Sequence, residues 1–149
     1  MLVFVDTNVW YPVVLADLVL RSVEIGLFDL AWTDESLAEV ERVLVERKGL
    51  TAQHAAAARG ARADVLLTSN VTDFPATDVG PACRVLHPSD LFGELASTYP
   101  IEVRRVIAEM AAHRHRPPMT PDDILDRLDA LGLHPMVSAL RPTGPDEAD

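Results

Sequence analysis

Leu2-Val3-Phe4-Val5-Asp6-Thr7-Asn8 puts four apolar residues directly in front of a carboxylate. A short apolar run of β-branched and aromatic side chains without helical spacing predicts a buried strand. Further on, Asp64-Val65-Leu66-Leu67-Thr68-Ser69-Asn70-Val71-Thr72-Asp73 repeats the arrangement, an apolar run that ends among polar side chains. An alanine-rich stretch over 52–63, high in helix propensity, leads into it. Helix followed by buried strand is the rhythm of a parallel sheet, so the expected fold class is α/β. Open parallel sheets bind ligands beyond the carboxyl ends of their strands, where Asp6, Asn70 and Asp73 fall.

Outward from these two runs, a helical stretch is expected to about residue 28, then a short apolar piece near 30–32. Thr33 is a good N-cap, and Asp34 and Glu35 suit the positive end of a helix over 34–48 that Gly49 stops. A third strand is expected over 83–86, ending at His87-Pro88. Helices over 89–97 and 101–113 follow, and Pro117-Pro118 breaks the pattern. Thr120-Pro121-Asp122-Asp123 combines an N-cap, a proline in the first turn and acids beside it, and so starts a helix that ends near Gly132. A short helix is expected over 135–140, and the composition of 142–149 is that of a disordered tail. No internal repeat is visible.

The chain has 149 residues, 48% of them hydrophobic, enough for one domain with a core and small appendages. Its one cysteine, Cys83, makes no internal disulfide, and the N-terminal residues lack the features of a signal peptide; a cytoplasmic protein is expected. Asp6, Asp17, Arg21 and Glu24 interrupt the apolar N-terminal stretch, which excludes a membrane span there. The net charge of −10 is uneven: residues 1–50 hold nine acids and four bases, 51–118 seven of each, and 119–149 seven acids and two bases. An acidic total disfavours nonspecific phosphate binding, yet carboxylates gathered to hold cations would supply part of it.

Asp6, Thr7 and Asn8 are ordinary strand-exit and capping residues as well as candidate site residues, and local pattern alone weighs the two equally. A second strand exit of the same kind makes coincidence less attractive. On the helix over 34–48, Leu37, Val40, Val43 and Leu44 form one arc, Glu39 and Glu41 flank it, and Glu35 and Glu46 point away. His113 and His115, two apart, do not share a helix face, and the basic cluster to Arg116 with Arg104 and Arg105 reads as a solvated helix end.

The ordered set "VDTN" (5–8), "WTDESLAEVERVL" (32–44), "ADVLLTSNVTDFP" (63–75) and "HPSDLF" (87–92) resembles the PIN-domain branch of VapC-like toxins. "PPMTPDDILDRLDALGL" (117–133) resembles the helical extension of the same branch. The resemblance implies a three-layer α/β/α sandwich around a parallel sheet over 1–97, shortened near 49–54, with a C-terminal helical extension over 98–141 and a tail over 142–149. It also implies a ribonuclease that cleaves RNA with Mg²⁺ or Mn²⁺, an antitoxin partner, and self-association as a homodimer. Asp6 corresponds to the first family carboxylate, Glu39 to the helical glutamate and Asp73 to the late aspartate. These three are the implied metal ligands and, with Asn70, the catalytic set; Thr7, Asn8 and Thr68 support them.

One departure stands out. The family places a further aspartate at the start of the alanine-rich helix, but here that helix begins Thr51-Ala52-Gln53-His54, and no carboxylate stands between Glu46 and Asp64. The gap amounts to roughly 30 residues, a helix and its connections. Weakened catalysis is therefore expected, and the alternative is a catalytically inactive PIN-like module that binds protein. A phosphatase with Asp6 as nucleophile is a weaker reading, because Asn8 stands where such enzymes place a second aspartate.

Overall fold

The computed structural model describes residues 1–31, 63–75, 80 and 82–141. The chain divides into two compact units, Met1–Pro88 and Ser89–Asp149.

In the first unit, β1 (Leu2–Val5) lies between β2 (Asp29–Leu30) and β3 (Val65–Leu67), with β4 (Arg84–Leu86) outside β3. All three pairings are parallel. The expected α/β class with a parallel sheet is thus observed. Val3, Phe4 and Val5 are buried, as are all three residues of β3, which is why these segments read as continuous apolar runs rather than alternating ones. Phe4, Leu66 and Phe74 pack with Ala31 and Ala63, and Leu2, Cys83 and Val85 close the cluster. Asp64 ties the start of β1 down twice: its N–H donates to the Leu2 carbonyl, and its carboxylate accepts the Leu2 N–H at 2.7 Å.

The helical stretch expected to residue 28 is two pieces. A 3₁₀ turn covers Thr7–Trp10, and α1 covers Val13–Glu24. Pro12, extended at the N-cap of α1, separates them. Gly26, at φ +83°, ends the helix, and its N–H donates to the carbonyl of Val23. Chain direction then reverses in time for Asp29 and Leu30 to pair with Leu2 and Val3. This two-residue strand coincides only in part with the apolar piece near 30–32, because pairing to the edge of β1, not side-chain pattern, makes it a strand.

The second unit contains α2 (Pro88–Thr98, from its second residue), α3 (Pro100–Ala112), α4 (Pro121–Ala130) and α5 (His134–Leu140). Helix α3 packs against α4 and α5, and α4 against α5. Their buried faces include Val106, Ile107 and Met110 on α3, Ile124 and Leu128 on α4, and Met136 and Val137 on α5. Gly93 of α2 approaches α5 so closely that a Cβ there would lie 2.9 Å from the Cβ of Pro135. Helix α3 stops at Ala112, so His113 and His115 do not lie together on a helix. The α2 segment, grouped by sequence with the sheet, falls almost wholly in this unit. The helix expected over 34–48, Glu39 with it, all of the helix expected over 52–63 except Ala63, and the tail over 142–149 lie outside the described residues. No helix among the described residues is long and apolar enough to cross a membrane.

Candidate active site

Parallel pairing in register brings the carboxyl ends of β1, β3 and β4 side by side. Val5 stands opposite Leu67, and Leu67 opposite Leu86. One residue further on, the Asp6 N–H donates to the Leu67 carbonyl at 2.8 Å and the Thr68 N–H to the Leu86 carbonyl at 3.0 Å. The backbones of Asp6 and Thr68 are therefore fixed by the sheet itself. Both residues are buried, Thr68 completely.

The Asp6 side chain receives a donor from each of two strand exits. Its Oδ1 accepts the Thr7 N–H at 2.8 Å, and its Oδ2 accepts the Thr68 hydroxyl at 2.8 Å. The first of these bonds makes Asp6 the N-cap of the Thr7–Trp10 turn, so the capping reading of this residue holds. The second joins it to the exit of β3, which capping does not require. A carboxylate offers about four acceptor positions, so the two roles are compatible.

Asn8 links the same two exits: its Oδ1 accepts the Ser69 N–H at 3.2 Å, and its Nδ2 donates to Thr68 Oγ1 at 3.4 Å. The Asn70 N–H donates to Thr68 Oγ1 at 3.1 Å. Asp73 closes a 3₁₀ turn over Val71–Asp73, its N–H donating to the Asn70 carbonyl, and buried Phe74 anchors the turn. The side chains of Asn70 and Asp73 are exposed on this loop. Thr7 is buried, and its hydroxyl has no hydrogen-bond partner among the described residues.

Asp6, Thr7, Asn8, Thr68 and Asn70 are thus brought together by hydrogen bonds, and Asp73 follows on the loop they hold. Glu39 lies outside the described residues, among which no group of three or more His, Cys, Asp and Glu side chains is placed to hold an ion. The donors that are present, carboxylate and amide oxygens, are of the hard type that Mg²⁺ and Mn²⁺ prefer. Sequence reasoning missed Ser69, which acts through its backbone N–H and leaves no side-chain signal. Cys83 takes no part: burial pushes its thiol up, a backbone hydrogen bond with Leu66 offsets only part of this, and Asp64 adds to the rise, so it stays a protonated, half-buried residue. A groove of about 550 Å³ in the second unit, lined by Asp90, Glu94, Ser97 and Pro135 among others, contains none of the site residues.

Residues 88–142 match the family model of the VapC50 C-terminal domain. The matched stretch begins at the first residue of α2 and continues past the end of α5. Comparison with curated proteins and with solved structures gives no match.

Proposed function

We propose that a chain whose C-terminal helices match the VapC50 C-terminal domain is a VapC-like toxin acting as a metal-dependent endoribonuclease in the cytoplasm, with the carboxyl end of its parallel sheet as the active site. The observation that carries this reading is the buried Asp6 carboxylate, held at the carboxyl end of a central strand by donors from two separate strand exits. Capping alone accounts for one of those donors. Asp6, Glu39 and Asp73 are the proposed ligands of Mg²⁺ or Mn²⁺, with Asn70 beside them orienting the surroundings. Bound there, such an ion supplies charge neutralisation at the phosphate and activation of water. The part of the chain itself is to keep the carboxylates in place and the strand exits in register. RNA is the proposed substrate; an antitoxin and a second copy of the chain are the proposed partners.

The lack of any carboxylate between Glu46 and Asp64 in the sequence favours a second reading, a PIN-like module that binds protein but no longer cleaves. One experiment separates the two. Mn²⁺ is titrated calorimetrically, and structured RNA is incubated with and without chelator, for wild type and Asp6→Asn. The ribonuclease reading expects weak metal binding and slow cleavage, both abolished by the substitution. Cleavage that survives chelation or Asp6→Asn rejects the site, and metal binding without cleavage supports the inactive module.

A further inference from the structure

We infer that Thr68 is a positioning residue for Asp6, and that the Ser69 backbone, acting through Asn8, decides where the Thr68 proton points. The hydrogen-bond order is dictated by which groups can only donate. The Ser69 N–H lies 3.2 Å from one terminal atom of the Asn8 amide and must meet its oxygen. The amide orientation of Asn8 follows, and its nitrogen faces Thr68 Oγ1 at 3.4 Å. The Asn70 N–H at 3.1 Å is a donor too. A hydroxyl has one proton and two lone pairs, and both lone pairs of Thr68 are now taken. Its proton is left for Asp6 Oδ2 at 2.8 Å.

Two consequences follow. With both lone pairs committed, Thr68 acts on a cation only through Asp6 and is not itself a ligand. Asp6 is also turned to one orientation before any ligand arrives, because Thr7 and Thr68 hold its two oxygens from different strand exits. Reversing the Asn8 amide would set its NH₂ group against the Ser69 N–H and offer its oxygen to the Thr68 proton, which would release Asp6. The orientation of Asp6 stands on hydrogen-bond geometry alone, whereas its effect on metal binding rests on the reading of Asp6 as a cation ligand.

The test uses the full chain with Thr68→Val, which keeps the shape and removes the proton, and Thr68→Ser, which keeps the proton. Crystal structures report the Asp6 orientation, and Mn²⁺ titration reports affinity. Thr68→Val is expected to turn the Asp6 carboxylate and to weaken Mn²⁺ binding about tenfold, the scale of one hydrogen bond to a charged group. Thr68→Ser is expected to restore the orientation and bring affinity back to within about twofold of wild type. Asn8→Asp, which retains the acceptor for Ser69 but sets a second carboxylate against the Thr68 proton, gives an intermediate loss, and decides the matter should Thr68→Val fail to fold. An unchanged Asp6 orientation in Thr68→Val, or in Asn8→Asp if that variant alone folds, overturns the inference. So does a folded Thr68→Ser that fails to restore it. A wild type that binds no Mn²⁺ defeats the cation reading instead, and the crystal structures still decide the positioning role.

Discussion

A hydroxyl sealed from water without a partner among the described residues, as at Thr7, costs about 1–3 kcal/mol of desolvation. Thr7→Val removes the polar atom and keeps the branched shape, so thermal denaturation should show a melting temperature equal to or above that of wild type. A fall would mean that the hydroxyl has found a partner in solution. At this scale the sequence showed where Asp6, Asn8, Thr68 and Asn70 belong, because strand exits are visible as apolar runs that end in polar residues. It did not show how they bond. The order of the network depends on a backbone donor at Ser69 and on a register that only pairing of distant strands creates. Glu39 rests on resemblance, since helix periodicity alone left it level with Glu41.

Among the elements, α4 was the most legible, because everything that starts it is local. Thr120 Oγ1 accepts the Asp123 N–H, and the Asp123 carboxylate accepts the Thr120 N–H at 2.8 Å, a reciprocal capping box. Thr120→Ala should lower stability by about 1 kcal/mol in urea denaturation. The Thr120 N–H, and after it the Thr120 hydroxyl, hold the Asp123 carboxyl below its ordinary range. The stabilisation from a lowered acid is present above its unfolded pKa, about 3.9, and is lost as pH falls through the lower folded value. A carbon-detected NMR titration should place the Asp123 midpoint below that of an ordinary aspartate, and Thr120→Ala should move it back up. An Asp123 midpoint untouched by Thr120→Ala would show that the box does not form in solution. Where an element depends on a distant partner, legibility fails. β2 is two residues long and exists because β1 offers it an edge, and the stretch expected to stay helical to about residue 28 is instead broken at Pro12, between the Thr7–Trp10 turn and α1, and ended at Gly26.

For the molecule as a whole, a ligand that binds only the folded state raises stability in step with its concentration. If a cation is held through Asp6, Mn²⁺ at a hundred times its Kd should stabilise the wild type by about 2.7 kcal/mol. Scanning calorimetry with Mn²⁺, and again with chelator, should therefore give two melting temperatures for the wild type and one for Asp6→Asn. Equal temperatures for the wild type would leave the cation without a folded site. The overall class was legible because buried parallel strands are apolar along their whole length, and the strand order beyond the pairing of β1 with β3 was not, because it is a matter of which segments meet.

That strand order has a consequence during synthesis. Asp6 and Thr68 are 62 residues apart in the chain, so at ribosomal speeds of 5–20 residues per second roughly 3 to 12 s separate their production. For that interval β1 has no β3 to pair with, and the carboxylate at its end has no threonine to hold it. The nascent chain should accordingly engage holdase chaperones through Leu2–Val5, and its first unit should fold late. An arrest-peptide profile of translating ribosomes should show pulling force only after Leu86 has cleared the exit tunnel, and force appearing before Val65 emerges would contradict the pairing order.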